Sequence, residues 1–168
     1  SGFPPPIFYS LSESNNDCPL NLDCNKDFFD GLTIAKEVNK PILIDFTGWA
    51  CVNCRRMEEK VWSDPEIYKI LNNDVILVSL YVDDRNELIK ENQFSIKRQN
   101  GSLKNIKTIG QKWSTFQYLN FKTASQPFYV LINSDLEVLN KPIQYANKTE
   151  FKNWLNKGLT NNTKKIGQ

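Results

Sequence analysis

Residues 42–54 read ILIDFTGWACVNC, and this stretch decides the fold. An apolar run of the kind that forms a buried strand comes directly before two cysteines that are separated by two residues. The charged segment at 55–61, RRMEEKV, favours a helix. A Cys-x-x-Cys motif between a buried strand and a helix start is typical of a redox site. We therefore interpret the other residues by how they would position and tune these two sulfurs.

The composition limits the class of protein. The chain has 168 residues, which suits one domain, and a formal net charge of +2 with interleaved acids and bases. This balanced charge does not indicate a basic surface that would bind nucleic acid or an anionic membrane. The chain has no histidine, which removes every Ser-His or Cys-His nucleophile arrangement. Without a membrane-length apolar run or a signal-peptide pattern, we expect a mature protein or a soluble piece of a larger one.

Apolar periodicity alternates between helix and strand along the chain. It predicts helices over 27–38, 51–62, 65–71, 110–119 and 150–159, and strands over 42–47, 75–82, 128–133 and 138–139. Thr149 is expected to cap the last helix. This order is an α/β pattern that closes on an antiparallel hairpin.

The same pattern suggests the domain boundaries. Residues 1–26 form an N-terminal arm with a polyproline segment at 3–6, and residues 27–160 form the folded domain. Residues 161–168 read as a polar, frayed tail. The polar stretch 83–110 is interpreted as an insertion that carries a short hairpin, with its turn at Asn100-Gly101.

The two cysteines of the motif have different expected roles. Thiol exchange needs a thiolate that attacks and a second thiol that resolves the mixed disulfide. Cys51 lies at a helix start, where the dipole should bring its pKa below the free value of about 8.5, and Cys54 is expected to be the more buried, resolving thiol. Zinc is the main alternative, but its other ligands could come only from Cys18 and Cys24, whose spacing does not fit a zinc knuckle. We expect neither a metal nor another cofactor.

The second cysteine pair is close in sequence. Cys18 and Cys24 are near enough to close a small disulfide loop, which Pro19 stiffens. We favour a structural disulfide over a second redox pair, because no helix start follows immediately to stabilise a thiolate.

Two acids are candidates for tuning the motif. Asp45 interrupts an apolar strand, so it marks either a strand end turned to solvent or a proton shuttle of raised pKa beneath the resolving thiol; we favour the shuttle. Glu58 lies seven residues after Cys51 on the same helix face. Two carboxylates there would oppose thiolate formation and favour a moderate oxidant over an extreme one. For Glu58, a solvated helix acid is the alternative.

Pro127 begins a strand late in the chain. Proline lacks the N–H that a strand ladder uses, so its presence indicates a sheet edge or a cis peptide that places backbone beside the cysteines.

These residues together resemble a known family. The matching stretches are KPILIDFTGWACVNCRRME at 40–58, VWSDP at 61–65, LVSLYVDD at 77–84 and QPFYVL at 126–131. Over roughly residues 27–159 the chain resembles the thioredoxin superfamily. It is most similar to the C-terminal periplasmic domains of the transmembrane disulfide reductase DsbD, in the form of Bacteroidetes-type bacteria. The resemblance implies a thioredoxin-like fold, a central mixed sheet flanked by helices, with an insertion before the cis-proline strand.

The resemblance also implies roles for particular residues. Cys51 would be the nucleophile and Cys54 its resolving partner, while Asp45 and Glu58 would raise the nucleophile's pKa. Substrate would be bound by Trp49, Gln126 and the cis-proline, Pro127. The backbone at Gln126 would pair with the backbone of the partner. In most thioredoxins the tryptophan directly precedes the first cysteine, whereas here Ala50 intervenes.

The implied function is a protein-disulfide reductase. Electrons would arrive from a membrane-embedded domain and leave to periplasmic acceptor proteins through transient mixed disulfides, in a role connected with electron transport and cytochrome c biogenesis. We expect a monomer located in the periplasm, as the soluble domain of an inner-membrane protein. The alternatives are a free-standing periplasmic thioredoxin, a weak oxidase, or a thioredoxin-fold binding module with a static disulfide.

Overall fold

The computed structural model describes residues 17–166. The predictions for residues 1–16, including the polyproline segment, and for residues 167–168 lie outside this range. The strands are β1 (Cys24–Asn25), β2 (Ile42–Thr47), β3 (Ile76–Tyr81), β4 (Phe94–Lys97), β5 (Leu103–Ile106) and β6 (Phe128–Ile132). The helices are α1 (Phe28–Val38), α2 (Val52–Met57), α3 (Pro65–Asn73), α4 (Ile109–Phe121) and α5 (Lys148–Ile166). Helix α2 continues as a π-helical turn over Glu58–Trp62.

Four strands form the central sheet in the order β1-β3-β2-β6. Strands β1 and β2 run parallel to β3, and β6 runs antiparallel to β2. The sheet is therefore mixed, and helices cover both of its faces, as the sequence predicts. Asp45 pairs in register with Ser79, and Phe46 with Phe128.

The two faces of β2 contact two separate core clusters. Leu43 belongs to a buried cluster with Met57 and Trp62, on the side of α2. Ile44 and Phe46 belong to the opposite cluster, which packs under α1 and α4. Because side chains alternate along a strand, Asp45 faces the same side as Leu43. The fold thus directs this carboxyl group toward the helix that carries Cys54.

The predicted fourth strand at 138–139 is wrong. Val138 and Ile143 form only isolated bridges to β6. Leu136 adopts a left-handed backbone conformation with φ of 68°, and Pro142 has no N–H to continue a ladder. The fourth strand of the sheet is instead β1, which pairs with β3.

The last helix is longer than predicted. Helix α5 continues to Ile166, so the expectation of a frayed tail over 161–168 is wrong for residues 161–166. Asn161 Nδ2 donates a hydrogen bond to the Leu139 carbonyl (2.7 Å), and Lys165 contacts Glu137 at 3.1 Å. These contacts hold the polar end of the helix against the loop after β6.

The cap of α5 also differs from the prediction. The expected cap, Thr149, lies inside the first turn. Asn147 provides the cap, because its Oδ1 accepts from Glu150 N at 2.9 Å and its Nδ2 donates to the Glu150 carboxylate.

The hairpin predicted within 83–110 is confirmed. Strands β4 and β5 form a separate two-stranded antiparallel sheet. Gly101 has a φ of 85°, which favours glycine, and its N–H donates to the Arg98 carbonyl at 2.9 Å.

Candidate functional site

The Cys51–Cys54 pair lies where β2 meets α2. The two residues form a disulfide, with their Cα atoms 5.3 Å apart. Cys51 is the N-cap of α2, and its Sγ accepts a hydrogen bond from Cys54 N at 3.2 Å. Cys51 is half-buried, whereas only 2% of Cys54 is exposed. Cys51 is therefore the more accessible of the two residues to solvent and to a partner.

Asp45 is buried beneath this helix. Only 2% of the residue is exposed, and its Oδ2 accepts a hydrogen bond from Ser79 Oγ at 3.2 Å. Its Oδ1 is buried, and no donor within residues 17–166 reaches it. Burial, reinforced by the charge of Glu58, raises the pKa of Asp45 to about 8. The alternative of a solvent-facing strand end is wrong.

Glu58 is also buried, with 7% of the residue exposed. Arg55 Nη2 donates hydrogen bonds to its Oε1 (2.9 Å) and to Thr47 Oγ1 (3.2 Å). Burial raises the pKa of Glu58 to about 7, although the Arg55 guanidinium opposes the shift. The alternative of a solvated helix acid is therefore wrong, and the site contains two carboxyl groups that titrate near neutral pH.

Pro127 has the cis conformation that was predicted as one possibility. It is buried and directly precedes β6. Since Phe128 pairs with Phe46 near the carboxyl end of β2, the cis-proline lies at the same end of the sheet as the loop that leads to Cys51.

A residue that the sequence analysis missed holds the segment before this proline. Gln117 on α4 is fully buried, and its Nε2 donates to the Ser125 carbonyl at 2.8 Å. Its Oε1 accepts from Gln126 Nε2 at 2.9 Å. An amide four residues after Trp113, on the buried face of a helix, was the signal available in the sequence.

Trp49 stacks on Tyr81, with ring centroids 3.9 Å apart and planes 17° apart. Lys26 Nζ lies 5.1 Å from the Trp49 ring centroid. The inserted Ala50 thus leaves the indole packed across the end of β3, with 44% of Trp49 exposed.

Asp83 is the second residue that the sequence analysis missed. Its carboxylate accepts hydrogen bonds from the backbone N–H groups of Trp49 (2.9 Å) and Ala50 (3.0 Å). The signal was its place just after β3, because the carboxyl ends of neighbouring parallel strands meet at one sheet edge. Asp83 therefore anchors the loop that presents Cys51.

The second cysteine pair lies elsewhere in the fold. Cys18 and Cys24 form a disulfide, with Cα atoms 5.9 Å apart, as predicted. Their exposed fractions are 5% and 0%. Cys24 pairs with Leu77 near the amino end of β3, whereas the Cys51 loop lies at the carboxyl end of the sheet strands.

The described residues contain neither a membrane-spanning helix nor a cluster of metal ligands. Within residues 17–166, no helix has both the length and the apolar character needed to cross a membrane. In the same range, no three or more Asp, Glu, Cys or His residues cluster in a way that could hold a metal ion.

Comparisons with known proteins agree with the fold. A profile of the Thioredoxin-like family matches residues 23–105. The DsbH oxidoreductase has a similar structure, at a TM-score of 0.57 and 16% identity, covering 81% of this chain and 83% of that one. A thioredoxin from Thermus thermophilus gives 0.55 and 16%, with 79% and 84% covered. The reduced DsbD C-terminal domain of Neisseria meningitidis gives 0.52 and 13%, with 79% and 97% covered. No curated protein sequence matches the chain.

The chain therefore has a thioredoxin-like fold, a mixed sheet flanked by helices, as the sequence predicts. A disulfide at the start of a helix in this fold is typical of thiol-disulfide oxidoreductases.

Proposed function

We propose that the chain is a thiol-disulfide oxidoreductase that acts through Cys51 and Cys54. One observation carries this proposal. The half-buried Cys51 sulfur caps a helix and is bonded to the buried Cys54. This arrangement presents one sulfur for attack and protects the other until it is needed.

The reductive direction proceeds in two exchange steps. The Cys51 thiolate attacks a disulfide of the acceptor, which forms a mixed disulfide and releases one acceptor thiolate. The Cys54 thiolate then attacks Cys51 Sγ, which forms the Cys51–Cys54 disulfide and releases the second acceptor thiolate. Two electrons pass from the cysteine pair to the acceptor, which takes up two protons.

Asp45 is the proposed proton acceptor for Cys54. Its carboxyl group faces the side of the sheet on which α2 packs, and its pKa of about 8 lies close to that of a thiol. Glu58, with a pKa of about 7, would supply negative charge beside it above neutral pH. Negative charge near the sulfurs opposes the helix dipole and favours a reductant over a strong oxidant.

The proposed route follows from the motif resemblance to DsbD C-terminal domains, supported by the shared fold. A membrane-embedded donor domain would reduce the Cys51–Cys54 disulfide, and periplasmic acceptor proteins would oxidise it again. Trp49, Gln126 and Pro127 are the proposed partner-binding surface. We further propose that the protein acts as a monomer in the periplasm.

Reduction of insulin by dithiothreitol tests the activity. The protein should accelerate insulin precipitation, and Cys51→Ala should lose the acceleration. Equal rates with and without Cys51 would exclude the exchange reaction and favour a binding module.

The reduction potential tests the direction of electron flow. A value near that of thioredoxin, about −270 mV, is expected for a reductant. A value near that of DsbA, about −120 mV, would instead indicate an oxidase.

A further inference from the structure

A groove lies between the β4–β5 hairpin and one face of α4. Its volume is about 520 Å³. The hairpin side is lined by Ile96, Lys97, Arg98, Gln99, Asn100 and Lys104, and the helix side by Ser114, Thr115, Tyr118, Leu119 and Lys122. We call it the cationic groove, because four of these residues are lysine or arginine and none is acidic.

The four cations of the groove have no acidic partner among residues 17–166. Lys97, Arg98 and Lys122 are exposed, and Lys104 is half-buried with its Nζ 3.5 Å from Thr115 Oγ1. None of the four forms an ion pair with an acid in the described part of the chain. The groove therefore carries a concentrated positive charge in a protein whose overall net charge is only +2.

The helix side of the groove also has apolar surface. Tyr118 and Leu119 are 53% and 52% exposed. They follow Thr115 by three and four residues on one face of α4, and Lys122, the left-handed C-cap of the helix, comes directly after its last residue. The face pairs an apolar surface with cations at its border.

We infer that the cationic groove binds an acidic segment of a partner protein. Acidic side chains of the segment would contact Lys97, Arg98, Lys104 and Lys122, and an apolar side chain would cover Tyr118 and Leu119. A concave cleft of this size accommodates a peptide chain, whereas a membrane surface, which is flat, could contact only its rim. This binding goes beyond the proposed exchange reaction and does not depend on it.

The groove has a direct structural connection to the cis-proline segment. Tyr118 follows Gln117, whose side chain holds Ser125 and Gln126. Lys122 is the C-cap of α4 and lies five residues before Pro127 in the chain. A partner held in the groove would therefore contact the same helix that holds the cis-proline segment in place.

NMR titration of the oxidised 168-residue chain tests this inference. The probe is a synthetic peptide in which acidic residues flank a central leucine and phenylalanine. Amide shifts should concentrate at 97–100 and 118–122, and affinity should weaken as salt is raised. The matching peptide with amides in place of the acids should bind at least about tenfold more weakly, because charge pairing is lost.

Charge reversal locates the binding site. Lys97→Glu/Arg98→Glu should weaken binding of the acidic peptide by about tenfold or more, since both the groove and the peptide would then be negative. Lys36→Glu/Lys69→Glu is the matched control, because it makes the same change in net charge at exposed lysines outside the groove. It should alter the affinity less than about twofold.

Three results would overturn the inference. They are no saturable shifts with the acidic peptide, equal weakening by both charge reversals, and binding to anionic phospholipid vesicles without binding to the peptide. Because the cysteines stay oxidised throughout, inactivity in the insulin assay would not affect any of these readings.

Discussion

The two disulfides of this chain are the same kind of bond in contrasting surroundings. Cys51 caps a helix and is half-buried, and the strand before it and the helical turn after α2 carry buried acids with pKa values near neutrality. Cys18 and Cys24 are both buried, and only a single 3₁₀ turn lies between them. A sulfur becomes reactive through access, an α-helix start and nearby titratable groups. The second pair lacks access, and Cys18 precedes only the short 3₁₀ turn Pro19–Asn21. We therefore interpret the first pair as the reaction centre and the second as a structural link.

Removing the second cysteine of each pair should give the largest predicted effect, a difference in how fast the remaining cysteine forms a mixed disulfide. In Cys54→Ala the remaining Cys51 is accessible at a helix start, and in Cys24→Ala the remaining Cys18 lies in the core. We expect glutathione disulfide to form a mixed disulfide with Cys51 at least about 100-fold faster than with Cys18, because only Cys51 combines access with a stabilised thiolate. Mass spectrometry of time points measures both rates. Similar rates would contradict the assignment.

Asp45→Asn should change how stability depends on pH in the oxidised protein. Because the folded-state pKa of Asp45 is raised, its contribution is fully present below the unfolded-state value of 3.8 and is lost as pH rises through about 8. The wild-type free energy of unfolding should therefore fall across this window relative to Asp45→Asn. The shift of about four pKa units sets a ceiling near 6 kcal/mol for the difference.

Urea unfolding at several pH values measures this effect. Cys18→Ala/Cys24→Ala serves as the control, because it should keep the wild-type pH slope. A slope that is the same in the wild type and Asp45→Asn would show that the buried carboxyl is not protonated as proposed.

The structural disulfide should affect stability and leave the reaction unchanged. Cys18→Ala/Cys24→Ala opens a loop of sequence separation 6. We expect a loss of about 2 kcal/mol, from the greater chain entropy of the unfolded state. Urea unfolding gives this value, and insulin reduction by the same variant should stay within about twofold of wild type. A strong loss of turnover would count against a purely structural role.

The smallest predicted effect concerns the loop before Cys51. Asp83→Asn keeps one acceptor and removes the charge that binds the N–H groups of Trp49 and Ala50. We expect amide exchange at these two residues to become about fivefold faster, a change near 1 kcal/mol. Asp84→Asn is the neighbouring control, since Asp84 contacts Asn86 instead. Unchanged amide exchange at Trp49 and Ala50 in Asp83→Asn would contradict the anchoring role of Asp83.

The parts of the fold that the sequence predicted are those with strong local signals. Strand β2 is an apolar run that only Asp45 interrupts before Thr47, and α1 has an apolar stripe with Asp27 as its cap. The segment after β6 and the end of α5 were predicted incorrectly. Their conformations depend on long-range contacts, such as that of Asn161 with Leu139, which a local pattern does not contain.

The residues of the site also fall into two groups, those that the sequence predicts and those that it does not. Cys51, Cys54 and Pro127 are recognisable because their residue types are unusual at those positions. The positions of Gln117 and Asp83 follow from the way α4 and β3 pack beside other segments, and a single sequence does not specify that packing.

The central claim is that one pair exchanges and the other does not. The most direct test is equilibration of the full chain in redox buffers, followed by alkylation and mass spectrometry of each cysteine. We predict a reduction potential of about −270 mV for Cys51–Cys54. The Cys18–Cys24 disulfide should remain oxidised as the buffer potential is lowered to about −300 mV. Reduction of both pairs at one potential, or of Cys18–Cys24 first, would contradict the account.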